Sequence, residues 1–167
     1  MQKLRNATLV FLIKKAQGKI TKICLAMKKR GFGSGRWNGV GGKVQEDQNE
    51  SIEDAAKREV KEEIGVVVEK LNKVAELVFY FSNNQEWNQL VHVYFAESWT
   101  GEPVETEEMR PKWFSISKIP LLDNMWPDDK FWLPKVLKGD LVKAKFTFEN
   151  NDIILEKEVM AVDVLRN

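Results

Sequence analysis

"REVKEEIG", residues 58–65, sets Glu59, Glu62 and Glu63 within five positions of one another, directly ahead of a glycine. Upstream, Ser51-Ile52-Glu53-Asp54 has the pattern of a capping box, and Gly65 reads as a helix stop, so 51–64 predicts a helix. At about 100° per residue, Ile52, Ala56, Val60 and Ile64 form one apolar stripe. Lys57, Arg58 and Lys61 fall on one side of it, and the three glutamates fall together on the other. Glu59 and Glu63 are an i,i+4 like-charge pair, which costs a few tenths of a kcal/mol. All three carboxylates also lie at the helix C-terminus, where the macrodipole disfavours anions. A solvated charged face is the plain alternative, but interleaved lysines would have relieved both penalties. A bound divalent cation removes the conflict. Hard oxygen ligands on one face suit Mg²⁺ or Mn²⁺, with substrate phosphates completing the shell.

Outward from that helix, "ATLVFLIKK" (7–15) and "KICLAMKK" (22–29) predict two strands joined by a turn at Gly18. "GFGSGRWNGVGGKV" (31–44) is too rich in glycine for a helix interior. It is not a phosphate-binding loop of the Walker type, because Val44 follows Gly42-Lys43 where that loop needs Ser or Thr. "VAELVFYF" (74–81) and "LVHVYFAESW" (90–99) predict two strands across a polar turn, and "RPKWFSI" (110–116) a further short one. "DDKFWLPKVLKG" (128–139) reads as a short helix despite Pro134. The two runs in "AKFTFENNDIILEKEV" (144–159) form a C-terminal β-hairpin around Asn150-Asn151. Strands with interspersed helices imply an α/β (α+β) fold with a mixed β-sheet core.

The 167 residues favour a single domain, 1–167, and no repeat or linker interrupts them. Lys and Arg number 26 against 25 Asp and Glu, a net charge of +1. No global field therefore draws the chain to nucleic acid or membrane, and stable nucleic-acid binding is not expected. Lys14 and Lys15 interrupt the first apolar run, so no signal peptide is expected, and no stretch is long enough to span a bilayer. The single cysteine, Cys24, forms no internal disulfide, which suits a cytoplasmic location. A monomer is the expected state.

"GKVQEDQNESIEDAAKREVKEEIGV" (42–66) resembles the Nudix box, G-x5-E-x7-R-E-U-x-E-E-x-G-U with U aliphatic. From Glu50 through Val66 the match is in register; upstream, seven residues instead of five separate Gly42 from Glu50. The resemblance implies a Nudix fold, its sheet between helices, and hydrolysis of a nucleoside diphosphate derivative with Mg²⁺ (or Mn²⁺). It makes Glu59, Glu62 and Glu63 the metal ligands and catalytic carboxylates, pairs Glu50 with Arg58, and adds the Gly41 carbonyl to the metal shell.

"MKKRGFGSGRWNGVGGKVQE" (27–46), "VETEEMRPKWF" (104–114) and "MWPDDKFW" (125–132) resemble a subgroup of that family, the oxidised purine nucleoside triphosphatases of animals. That likeness places Thr8, Lys28, Asn38, Trp126, Pro127, Asp128 and Asp129 around a purine nucleoside triphosphate. Phe32, Phe79 and Phe81 become apolar walls, and Val40, Gly41, Gly42 and Lys43 complete the binding set. Glu108 becomes a further carboxylate near the metal. The residues just before Leu90 depart from the subgroup. By their chemistry alone, Asp128-Asp129 also fit the N-terminal charge of the next helix, Trp126 a core residue, and Lys28 a solvated strand end. Two other functions remain: hydrolysis of ADP-ribose, a dinucleoside polyphosphate or an RNA cap, and a non-catalytic nucleotide sensor. The intact carboxylate cluster argues against the sensor.

Overall fold

A computed structural model describes residues 4–121, 123–150 and 153–166. Eight strands form one mixed sheet: β1 (Arg5–Ala16), β2 (Lys19–Lys28), β3 (Trp37–Asn38), β4 (Asn72–Phe81), β5 (Gln89–Ala96), β6 (Met109–Ser115), β7 (Leu141–Glu149) and β8 (Ile153–Val162). The order is β3-β2-β1-β5-β4-β7-β8, with β6 also paired to β2. The pairs β1/β5 and β4/β7 are parallel and the others antiparallel. Helix α1 (Ile52–Ile64) covers one face and α2 (Asp129–Leu137) the other.

The period-two alternation of β1 explains why both faces need a cover. Phe11 and Ile13 pack with Trp132, Leu133 and Val136 of α2, whereas Val10 and Leu12 pack with Ala56, Val60 and Ile64 of α1. The expected sheet between helices is what the chain forms. The capping-box serine acts as expected at the start of α1, its Oγ accepting from the Asp54 N–H at 3.1 Å. Gly65 ends that helix in the left-handed region at φ 74°.

Element bounds shift by a few residues from the sequence reading, and one strand is new. The strand expected over 90–99 ends at Ala96. The glycine-rich stretch holds a two-residue strand, β3, whose Asn38 pairs with Ala26. No apolar period announces so short an element; backbone hydrogen bonding to β2 makes it. The C-terminal hairpin is present as β7 and β8, its turn at Asn150-Asn151 lying partly outside the described residues.

Candidate active site

Residues 39–42 run against β1 and bring it to the helix that carries the carboxylates. Val40 and Val10 exchange backbone hydrogen bonds at 2.7 and 2.9 Å, and the Gly42 carbonyl accepts from the Thr8 N–H at 2.8 Å. The approach is so close that a Cβ on Gly41 would lie 1.8 Å from the Thr8 carbonyl oxygen. One on Gly42 would lie 2.6 Å from the Glu59 carboxyl carbon. Only glycine at both positions lets the backbone lie on β1 while the Glu59 carboxylate reaches it.

The three glutamates separate once the helix is packed. Glu63 is buried, and its Oε2 has no hydrogen-bond partner among the described residues. Burial first, and the Glu59 charge second, push its carboxyl up to about 8, with Glu108 adding to the effect. The Lys28 charge and the Gly41 N–H act in the opposite direction. Glu59 is 14% exposed and accepts from Arg58 Nη1 at 2.8 Å. Glu62 turns outward, 59% exposed, and meets the same Arg58 nitrogen at 3.2 Å. Glu50 holds the other edge of that guanidinium, with Oε2 2.6 Å from Nε. Arg58 Nη2 donates to the Lys43 carbonyl at 3.1 Å, tying helix to loop. The two extra residues ahead of Glu50 are absorbed in a helical turn at Glu46–Gln48, closed by the left-handed Asn49.

Glu108 lies at the periphery, 3.6 Å from Arg30. The Thr106 hydroxyl anchors its segment, donating to the Glu63 carbonyl at 2.8 Å and accepting from the Glu108 and Met109 N–H groups. Among the described residues no three acidic, His or Cys side chains converge into a closed metal cage. A buried carboxylate with a free oxygen beside a second, and two more acids at the rim, is an open, hard-oxygen face. That donor set fits a small divalent cation whose remaining ligands come from phosphate and water.

Beside this face opens a cavity of about 360 Å³. Of the residues expected to bind substrate, Thr8, Lys28, Phe32, Asn38, Gly41, Gly42, Lys43, Phe79, Phe81, Trp126, Asp128 and Asp129 line it. Two do not. Val40 is buried in the core beneath α1, because its backbone pairing with Val10 turns the side chain to that face of the sheet. Pro127 lies on a second depression behind Trp126, since its neighbour Trp126 forms the wall between the two.

The aspartate pair is buried in the cavity wall. Asp128 is 2% exposed and its Oδ2 accepts from the Trp132 indole N–H at 2.8 Å. Burial pushes its carboxyl up to about 6. Asp129 is 5% exposed, its Oδ2 without a partner among the described residues; burial and then the Asp128 charge raise it well above the usual carboxylate range. The pair does stand at the start of α2, but buried rather than as a solvated helix-start charge. His92, the single histidine, lies outside the cavity, between Lys73 at 2.8 Å and Asn6 at 2.9 Å.

The sequence reading missed Arg36, Trp87, Met109 and Phe148, all of which line the cavity. The Arg36 guanidinium stacks 4.3 Å from the Trp126 ring centre. Its place beside Trp37-Asn38 offered a hint; Phe148, within an alternating strand, offered none.

This sheet between two helices, with a glutamate-bearing helix packed against a Gly-Gly segment, defines a Nudix-type hydrolase scaffold. The chain belongs to the NUDIX domain family, which it matches over residues 3–136. It is 47% identical over 142 residues to the oxidized purine nucleoside triphosphate hydrolase of Mus musculus, covering 85% of this chain and 88% of that protein. The protein of the same name from Danio rerio is 44% identical over 144 residues, covering 86% and 90%. In three dimensions the chain is similar to the mutator MutT protein of Bacillus halodurans, with a TM-score of 0.76 at 22% identity over 93% of this chain and 97% of that one, a likeness of fold. Nudix hydrolases generally use divalent metal ions.

Proposed function

We propose that this protein hydrolyses oxidised purine nucleoside triphosphates, such as 8-oxo-dGTP and 2-hydroxy-dATP, to the monophosphate and pyrophosphate. One observation carries the reading. The same cavity is lined by an aromatic wall with a buried acid pair and by Lys28, Lys43 and the Gly41-Gly42 backbone that packs on Glu59. A base and a phosphate chain on one substrate have somewhere to go together. The names of the mouse and zebrafish relatives support it.

In this reading Trp126 stacks on the purine while Asn38, Asp128 and Asp129 meet its edge. An oxidised guanine carries a C8 carbonyl and an N7 proton, so its edge differs from that of guanine. A raised aspartic acid can donate as well as accept, and moving one proton within the pair lets it match more than one damaged purine. Lys28 and Lys43 face the phosphates, and Thr8 lines the path between the two ends. Glu59, Glu62 and Glu63, with the Gly41 carbonyl and Glu108 near them, would hold Mg²⁺, with Mn²⁺ as a substitute. The cation, when bound, neutralises charge on the phosphate oxygens and activates water. We further propose one domain, acting as a cytoplasmic monomer on free nucleotides; a net charge of +1 supports the last point.

Steady-state rates with Mg²⁺ across 8-oxo-dGTP, 2-hydroxy-dATP, dGTP, ADP-ribose and a dinucleoside tetraphosphate test the proposal. The oxidised purines should have the highest kcat/KM; ADP-ribose at the head of the series refutes it. Hydrolysis in ¹⁸O-water should label pyrophosphate, from attack at the β-phosphorus. Label in the monophosphate would instead place attack at the α-phosphorus.

A further inference from the structure

The turn between β4 and β5 is held more firmly than its position on the surface requires. Its backbone closes through Trp87 N–H to the Asn84 carbonyl and Asn88 N–H to the Gln85 carbonyl, both at 3.1 Å. Asn84 Oδ1 accepts from the Glu86 N–H at 3.1 Å, and Asn88 Oδ1 from the Phe81 N–H at 2.7 Å. From β1, the strand paired with β5, Arg5 Nη2 donates to the Glu86 carbonyl at 2.7 Å. These contacts present one indole, Trp87, to the cavity.

That indole meets Phe32 at 4.7 Å between ring centres and Phe81 at 5.9 Å, the latter edge to face. Phe32 meets Trp126 on another side at 5.3 Å and Phe81 at 5.9 Å. Phe32 is therefore braced between two indoles. It needs the brace, because it stands in the glycine-rich segment between β2 and β3, where neither strand nor helix fixes it. Both faces of the support come from elsewhere in the chain.

We propose that Trp87 is a specificity-determining residue of the nucleotide pocket: it forms part of the base-facing wall and fixes Phe32 in place, selecting bicyclic purines over smaller pyrimidines. The inference rests on the proposed nucleotide reading. The polar edge at Asn38, Asp128 and Asp129 chooses among purines, whereas this aromatic wall sets the size of the base admitted. A wall contact made equally in the ground and transition states acts on KM rather than kcat.

The test is steady-state kinetics of Trp87→Ala, Trp87→Leu and Trp87→Phe on 8-oxo-dGTP, dGTP and dTTP, with calorimetric binding of 8-oxo-dGMP. Trp87→Ala should raise KM for the purines and weaken 8-oxo-dGMP binding roughly three- to tenfold, the scale of lost aromatic contacts, with kcat within about twofold. The purine-over-dTTP ratio should fall by a similar factor. Trp87→Leu, which keeps apolar volume, should lose in the same direction, and Trp87→Phe should recover most of the effect. Unchanged KM and binding in both Trp87→Ala and Trp87→Leu overturn the inference, as does a loss confined to kcat. Wild-type protein that neither binds 8-oxo-dGMP nor hydrolyses any of the purine triphosphates overturns the functional reading itself.

Discussion

The molecule holds two acid pairs, and they are built on opposite principles. Glu59 and Glu63 sit on one helix face, i,i+4, beside an Arg58 that binds three glutamates at its rim. Asp128 and Asp129 are neighbours in sequence at the start of α2, enclosed by Trp132 and Trp126 with 2% and 5% exposure. Desolvation is the leading cause of the raised carboxyl at Glu63 and in both aspartates. The surroundings differ. The glutamates border an open face, whereas the aspartates are buried in the cavity wall, where holding a proton costs less than holding a bare charge. Under the proposed function, like charges crowded together would serve a metal in one place and a base edge in the other.

The largest effect should come from breaking the glutamate pair. Glu59→Gln or Glu63→Gln should lower kcat at least about a hundredfold, the scale for removing a group that acts on the transition state. EDTA should abolish turnover of the wild type; full activity in its presence would remove the cation from the site.

Asp129→Asn should be milder and selective. It should cut kcat/KM for 8-oxo-dGTP roughly ten- to a hundredfold, the cost of a mispaired buried polar group, while leaving the Mg²⁺ dependence of the rate unchanged. Asn38→Ala should flatten the preference for oxidised over normal purines. If both variants keep the wild-type preference, the aspartate end is not the base site, and the contrast between the two pairs collapses.

Stability sharpens the comparison further. Mg²⁺ a hundredfold above its Kd should stabilise the wild type by about 2.7 kcal/mol through mass action. The triple change of Glu59, Glu62 and Glu63 to Gln should melt no lower than apo wild type and lose that response. An equal Mg²⁺ response in the triple variant moves the cation elsewhere.

The smallest effect is the pH dependence of folding. The folded Asp128 carboxyl is raised from 3.8 to about 6, so the native state keeps a proton the unfolded chain releases. Stability therefore falls as pH rises through that window. Asp129 is raised too, and Glu63, raised from 4.5 to about 8, extends the fall upward. Asp129→Asn should gain on wild type in melting temperature as pH increases from 3.8 toward neutrality, by a few degrees at most. A constant difference across that range would mean that Asp129 ionises alike in both states.

The glutamate end was open to a reader of the chain because its logic is local. Helical spacing, the Ser51 cap and the Gly65 stop all lie within fifteen residues, and segregated charge on a helix face is visible without a fold. At about 100° per residue Glu63 borders the apolar stripe and Glu62 falls away from it, and the structure buries the first and leaves the second 59% exposed. Val40 marks the limit of a local reading, since a backbone pairing with Val10 decides which face its side chain takes.

By itself the sequence determined the helix with its acidic edge, the alternating strands, the terminal hairpin and the family pattern, because periodicity and capping act over a few residues. Only the tertiary structure decided that Asp128 and Asp129 are buried rather than a solvated helix start. It alone set Arg36 on Trp126 and braced Phe32 with Trp87 from a turn 55 positions further along the chain. Burial and ring contacts are properties of distant segments brought together. No local pattern encodes how completely a carboxyl loses its water.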